Sequence, residues 1–117
     1  MIIVDYGMGN LWSVMSALKF LSVEPSISSE PKVIASADTL ILPGVGSFHK
    51  AMLALQKHDL IDPIREAVEI KRRKILGICL GLQLLSNSST EDGKTSGLGF
   101  IPGNVDRFTE EELSSRK

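Results

Sequence analysis

The sequence predicts an α/β fold in which a doubly wound, mostly parallel sheet carries helices on both faces. Two observations support this prediction. Three short apolar segments show no polar alternation, which is typical of strands covered on both faces in a parallel sheet. Segments with helical spacing of apolar residues lie between them, and this alternation of strand and helix is the pattern of a doubly wound sheet.

The three predicted strands are residues 1–6 ("MIIVDY"), 39–44 ("TLILPG") and 74–79 ("KILGIC"). Each strand leads into a turn that contains glycine. Because the carboxyl ends of parallel strands meet at one edge of a sheet, the three turns are expected to lie side by side. Ligands bind at this edge in doubly wound folds, so the sequence predicts a functional site there.

The predicted helices lie between and after these strands. Apolar residues recur at helical spacing over 11–21 and again over 60–68, where Asp62 is expected to cap the helix and Pro63 to occupy its first turn. A shorter helix is expected over 47–56, and another begins directly after the third strand. The order of these elements gives each strand a neighbouring helix.

The last part of the chain has a different composition. Residues 87–99 are rich in Ser, Thr and Gly and are predicted to form a loop, and residues 100–108 a strand or extended edge segment. Residues 109–117 are predicted to be a charged tail. We expect a single domain over 1–117, because the length and the 43% apolar content suit one small core.

Composition excludes several classes of partner. Thirteen Lys and Arg against 14 Asp and Glu give a net charge of −1, so no electrostatic attraction to nucleic acid or anionic lipid is expected. A single cysteine forms no internal disulfide, and the N-terminus lacks the pattern of a secretory signal. No apolar stretch approaches the roughly 20 residues that span a bilayer. We therefore expect a cytoplasmic protein that binds neither nucleic acid nor membrane.

The third strand ends at Cys79, the only cysteine of the chain, which lies between Gly77 and Gly81 in "GICLG". A nucleophile between small residues at a strand-to-helix corner is typical of a nucleophile elbow. The start of the following helix would favour a negatively charged sulfur, and the N–H of Leu80 would face a developing oxyanion. The alternative is a buried cysteine that acts as a small apolar residue.

The other two turns allow functional and structural interpretations. In "LPGVGSF" the glycines beside Val45 permit a peptide to turn its N–H inward as an oxyanion donor, although without other context a simple tight turn after the strand explains the pattern better. In "DYGMGNLW" the spacing resembles the start of a dinucleotide fingerprint. Trp12 occupies the position where close packing needs a small residue, so we predict no dinucleotide cofactor there. Asn10 is expected to cap the following helix.

Taken together, "VDYGMGNL", "LPGVGSF", "GICLGLQLL" and "GLGFIPGNVDRF" resemble the class I (triad) glutamine amidotransferases. More narrowly, they resemble the glutaminase subunits of imidazole glycerol phosphate synthases in histidine biosynthesis. The resemblance covers residues 1 to about 108. In that family a cysteine attacks the side-chain amide of glutamine, which releases ammonia and leaves a glutamyl thioester that water hydrolyses.

The resemblance implies a role for particular residues. Cys79 would be the nucleophile, and the backbone of Val45, Gly46 and Leu80 would provide the oxyanion donors. The residues expected near the bound glutamine are Gly44 and Gln83. Asn10 would lie towards the partner, a (β/α)₈ barrel cyclase that forms a heterodimer with the glutaminase and receives its ammonia. The resemblance implies no cofactor.

The sequence departs from the family pattern in two places. Leu82 stands where a Met or His is usual, a change expected to alter packing more than chemistry. Family members also carry a His-x-Glu pair far downstream of the elbow, whereas His49 and His58 both precede Cys79. Their spacing from Cys79 fits no metal site either. We therefore expect a C-terminally truncated domain that is inactive alone.

Two alternatives stay open at the level of sequence. A related amidotransferase that supplies ammonia to another synthase would carry the same motifs. A non-catalytic binding module could keep the partner-facing turns without the histidine and glutamate of the triad. The gene that encodes the ammonia acceptor would identify the first alternative, and a natural end of the reading frame at Lys117 would favour the second.

Overall fold

The computed structural model describes residues 1–115, which form an α/β fold. The strands are β1 Ile2–Val4, β2 Ser26–Ser28, β3 Thr39–Leu42, β4 Lys74–Gly77, β5 Ser88–Ser89, β6 Thr95–Ser96 and β7 Asn104–Val105. The helices are α1 Leu11–Phe20, α2 Pro31–Ala35, α3 Phe48–Lys57, α4 Ile61–Arg65, α5 Leu80–Leu84 and α6 Glu110–Ser114. A π-helical turn, Glu66–Ile70, continues α4.

Within the described residues, the main sheet has four parallel strands in the order β2-β1-β3-β4. The connection from β1 leads outward to β2, whereas the connection from β3 leads to β4 on the other side. A crevice opens where neighbouring strands send their connections in opposite directions, and here that point lies between β1 and β3. The predicted doubly wound parallel sheet is confirmed.

The core lies on one face of this sheet. Leu40 and Leu42 of β3 are fully buried there, and they pack in one cluster with residues of α2, α3, α4 and α5. Ile41 alternates to the opposite face, as the period of a strand requires, and lines a groove with α1. Helices therefore lie on both faces, as predicted.

Asn10 caps α1, because its side-chain oxygen accepts a hydrogen bond from the Ser13 backbone N–H at 3.1 Å. The capping interpretation of Asn10 is thus confirmed. The predicted cap of the helix near residue 60 is wrong: α4 begins at Ile61 after Leu60, and Asp62 lies inside the first turn without a capping hydrogen bond.

Two predictions for the last part of the chain need correction. The predicted loop over 87–99 contains β5 and β6, which pair antiparallel, and β5 also pairs with β7 in a three-stranded sheet of the described residues. The tail predicted over 109–117 begins with α6, which Thr109 caps by accepting from the Glu112 N–H. Residues 116 and 117 of that prediction lie outside the described residues.

None of the helices in the described part of the chain is long and apolar enough to cross a membrane.

Candidate active site

The turns that follow β1, β3 and β4 meet at one edge of the sheet. A β-carbon built on Gly9 of the first turn would lie 3.3 Å from the backbone nitrogen of Gly44 in the second, so these two turns are in contact. An open pocket of about 490 Å³ lies between the second and third turns. Its lining residues are Gly44, Val45, Gly46, Cys79, Leu80, Leu82 and Gln83.

Cys79 occupies the corner between β4 and α5 in a backbone conformation that amino acids with a β-carbon rarely adopt. Its φ is +55° and its ψ is −118°. A conformation of this kind costs on the order of 1–3 kcal/mol and persists only where the surrounding structure imposes it. The side chain is exposed and lines the pocket. The sharp strand-to-helix turn predicted at Cys79 is therefore present, while the role of Cys79 as nucleophile stays a prediction.

Gly77 and Gly81 lie two residues before and two residues after Cys79. Both must be small, because α5 lies very close to the sheet at this turn. A β-carbon on Gly77 would lie 2.6 Å from the Cα of Leu82, and one on Gly81 would overlap the carbonyl oxygen of Leu42. That oxygen also accepts a hydrogen bond from the Ile78 N–H at 3.0 Å. The end of β3 thus holds the start of α5 and fixes the position of Cys79.

The predicted oxyanion donors lie around the same pocket. Leu80 is the first residue of α5, so its N–H has no acceptor within the helix. Gly46 has a φ of +97°, which is readily adopted only by glycine, and this lets the turn at Val45 reverse direction. The structure brings these three residues together with Cys79. Their role as donors stays a prediction.

Gly44 and Gln83, predicted near the substrate, also line this pocket. Leu82 lines it too and is 54% exposed. Its side chain therefore forms part of the pocket wall rather than of the core. Asn10 lies outside the lining and is exposed, so the structure separates it from the other predicted site residues. Its role towards a partner stays a prediction.

Neither histidine lines the Cys79 pocket. His49, on α3, forms a hydrogen bond of 2.9 Å between its Nδ1 and the Thr95 hydroxyl, and both residues line a different pocket. His58 is exposed at the C-terminal cap of α3. Among residues 1–115, no group of three His, Cys, Asp or Glu residues is arranged to hold a metal ion.

Tyr6, which was not predicted as a site residue, lies beneath the second turn. Its ring is 1% exposed, and its hydroxyl donates a hydrogen bond of 2.6 Å to the carbonyl oxygen of Pro43. Burial raises the pKa of Tyr6 to about 12. Two features of the sequence could have drawn attention to Tyr6. It is the only tyrosine of the chain, and it follows β1 directly at the start of the first glycine turn.

Comparisons with known proteins identify a family and a fold. A family model described as the CobB/CobQ-like glutamine amidotransferase domain matches residues 12–114. A solved structure described as a crystal structure of glutamine amidotransferase superposes with a TM-score of 0.76 at 23% identity. The matched region covers 91% of this chain and 56% of the solved chain. At 23% identity this match supports the fold alone.

Curated relatives are more similar in sequence. The imidazole glycerol phosphate synthase subunit HisH 2 of Vibrio vulnificus is 50% identical over 106 residues, which is 90% of this chain and 50% of the relative. The HisH subunit of Halalkalibacterium halodurans is also 50% identical, over 91% and 49% of the two chains. The chain spans about half the length of the curated relatives it matches.

Proposed function

The chain belongs to the CobB/CobQ-like glutamine amidotransferase domain family, and we propose that it forms the nucleophile-bearing part of a glutaminase subunit of imidazole glycerol phosphate synthase. The observation that carries this proposal is the strained elbow at Cys79, which faces a pocket shared with the glycine turn at Gly44 to Gly46. The substrate is glutamine and the products are glutamate and ammonia. No cofactor takes part.

In the proposed reaction the sulfur of Cys79 attacks the carbon of the glutamine side-chain amide. Negative charge develops on the amide oxygen, where the N–H of Leu80 and a peptide N–H of the Val45–Gly46 turn donate hydrogen bonds. Collapse of this tetrahedral intermediate breaks the C–N bond, and the nitrogen leaves as ammonia after it gains a proton. Water then attacks the glutamyl thioester, which releases glutamate and regenerates the thiol.

Two of these steps need an acid and a base that the pocket lacks in the described residues. A general acid protonates the leaving nitrogen, and a general base activates the water. Neither histidine lines the pocket, and the chain spans about half the length of its relatives. We propose that both groups come from sequence beyond this chain. The 117-residue polypeptide alone should therefore show no sustained turnover of glutamine.

The ammonia acceptor in this proposal is a (β/α)₈ barrel cyclase that forms a heterodimer with the glutaminase in the cytoplasm. The curated relatives carry the name of a subunit of imidazole glycerol phosphate synthase. Exposed apolar side chains around the pocket also support a docking surface, since Val45 is 58% and Leu82 54% exposed. Asn10 follows Gly9, which packs against Gly44, and would therefore lie at the edge of this surface.

The proposal is tested by chemistry at Cys79. We expect the chloromethyl ketone analogue of L-glutamine to alkylate Cys79 once, with formation of the C–S bond and loss of chloride, while the D-enantiomer reacts much more slowly. Ammonia release should be undetectable from the chain alone. It should appear after addition of a polypeptide that carries the C-terminal part of a relative, and the cyclase should then use that ammonia.

Cys79→Ser is the matched variant, because a hydroxyl of similar shape replaces the thiol and ionises far less readily. It should abolish alkylation and glutamine-dependent synthesis, while synthesis from added ammonia continues. Equal reaction of the two enantiomers with the unaltered chain would contradict the proposed glutamine site. Sustained Cys79-dependent ammonia release from the chain alone would contradict the proposed origin of the base.

A further inference from the structure

Tyr6 connects the end of β1 to the turn that follows β3. Its hydroxyl donates to the Pro43 carbonyl oxygen at 2.6 Å, and the two residues are 37 positions apart in sequence. The ring is 1% exposed and belongs to the core cluster that also contains Leu42 and Leu80. The hydroxyl therefore has a fixed position beneath the turn.

Gly44, the next residue after Pro43, is enclosed by the same group of atoms. A β-carbon built on Gly44 would lie 2.6 Å from the Tyr6 hydroxyl oxygen, 3.1 Å from the Gly81 backbone nitrogen and 3.2 Å from the Leu80 β-carbon. The turn is thus held between Tyr6 on one side and the start of α5 on the other. A rotation of the Pro43–Gly44 peptide would break the hydrogen bond to Tyr6.

We propose that Tyr6 is a positioning residue for the glutaminase reaction: its hydroxyl holds the Pro43 carbonyl and so fixes the Gly44–Gly46 turn relative to Cys79. This inference rests on the proposed function. The hydroxyl acts through the turn and does not line the Cys79 pocket. Donors that stabilise an oxyanion act through a preset orientation, so loss of this anchor should slow attack at a carbonyl more than other reactions of the same sulfur.

The alternative is that Tyr6 only fills the core. Tyr6→Phe separates the two interpretations, because phenylalanine keeps the ring and removes the hydrogen bond. Ser89→Ala is the matched control: Ser89 is also 1% exposed, and its hydroxyl accepts from the Glu91 N–H at 3.2 Å away from the Cys79 pocket. Thermal unfolding of both variants checks that each is folded at the assay temperature.

Two rates of Cys79 alkylation are then compared in the 117-residue chain. The chloromethyl ketone analogue of L-glutamine carries a carbonyl that needs the oriented turn, whereas iodoacetamide reacts with the sulfur without such a requirement. We expect Tyr6→Phe to lower the ratio of the first rate to the second by roughly 10-fold to 100-fold. Ser89→Ala should leave this ratio unchanged.

Amide hydrogen exchange provides a readout that does not depend on any ligand. In Tyr6→Phe the amides of Gly44, Val45 and Gly46 should exchange faster, while those of β2 keep the rates of the unaltered chain. An unchanged rate ratio with unchanged exchange in the turn would overturn the inference and leave the proposed function intact. Failure of the unaltered chain to distinguish the enantiomers of the ketone would instead overturn the proposed function.

Discussion

The two faces of the central sheet differ in how completely they are covered. On the closed face, Leu40 and Leu42 of β3 lie under α3, α4 and α5 and are fully buried, as is Leu55 of α3. On the open face only α1 covers the sheet, and no residue of α1 is buried in the structure of residues 1–115. Leu76 of β4 is 53% exposed on this side.

A groove of about 260 Å³ between α1 and β4 marks the open face. Its lining residues are Ser13, Val14, Ala17, Leu18, Ile41, Leu76 and Ile78. By contrast, α5 and the contacts that hold Cys79 belong to the closed face, through Leu80, Leu84 and the carbonyl of Leu42. The closed face therefore fixes the geometry of the candidate site and buries most of the core, whereas the open face buries few apolar side chains.

Among the substitutions that test the difference between the two faces, Gly81→Ala should lower the free energy of unfolding most. The added β-carbon would overlap the Leu42 carbonyl oxygen, so α5 would have to move away from the closed face. We expect the free energy of unfolding, measured in urea, to fall by more than about 4 kcal/mol. Gly93→Ala is the control, since nothing lies within 4 Å of its β-carbon and only the φ of +73° opposes alanine. Equal losses in the two variants would show that close packing at Gly81 is unimportant.

Matched leucines measure the difference between the faces directly. Leu55, in α3, is 0% exposed and belongs to the core cluster, whereas Leu18, in α1, is only half-buried beside the groove. Leu55→Ala should lower the free energy of unfolding by about 3–5 kcal/mol, because it leaves a cavity. Leu18→Ala should cost about 1 kcal/mol, because less apolar surface returns to water. Similar losses would contradict the open character of the α1 face.

Alkaline pH should lower the free energy of unfolding, because Tyr6 is buried on the closed face as a neutral phenol. Burial raises the pKa of Tyr6 from 10.0 to about 12, so between these values the unfolded chain has released a proton that the folded chain keeps. Stability contributed by the neutral phenol is therefore complete below pH 10 and is lost as pH rises towards about 12, by up to about 3 kcal/mol. Tyr6→Phe should show a smaller loss when urea unfolding is followed across this range.

The smallest effect on stability should come from Leu76→Lys on the open face. Because Leu76 is 53% exposed, a charged residue there should change the free energy of unfolding by no more than about 0.5 kcal/mol. In the described residues β4 is an edge strand, which pairs with β3 alone. Charge on an edge strand opposes association, so light scattering should report less aggregation. Greater aggregation would mean that Leu76 is needed to cover the sheet.

The sequence predicted the parts of the fold that apolar patterns encode. Strands β1, β3 and β4 were predicted because each contains a continuous apolar run. The expectation that all three are covered on both faces is wrong for β4, where Lys74 and Leu76 are exposed. Strand β2 was missed because its three residues, "SIS", include one apolar side chain. It joins the sheet through backbone hydrogen bonds, such as that from the Asp5 N–H to the Ser28 oxygen, and such bonds leave no trace in side-chain composition.

The residues of the candidate site likewise fall into those that the sequence predicted and those that it did not. The residues of the second and third turns were predicted to lie together because strand ends of a parallel sheet share an edge, and the pocket contains them. Tyr6 was not predicted, since its hydrogen bond to Pro43 joins residues 37 positions apart. The position of Asp62 was misread because Asp before Pro is a general signal of a helix start, whereas α4 begins at Ile61, two residues before Pro63.

The positive φ of Cys79 has a consequence for protein engineering. Glycine adopts this conformation without steric penalty, so a chain optimised for stability alone would carry glycine at position 79. Cysteine at this position therefore carries a local energetic cost that glycine would not have. Redesign for thermostability should therefore leave this residue unchanged, because the substitution that relaxes the backbone most would remove the sulfur on which the proposed reaction depends.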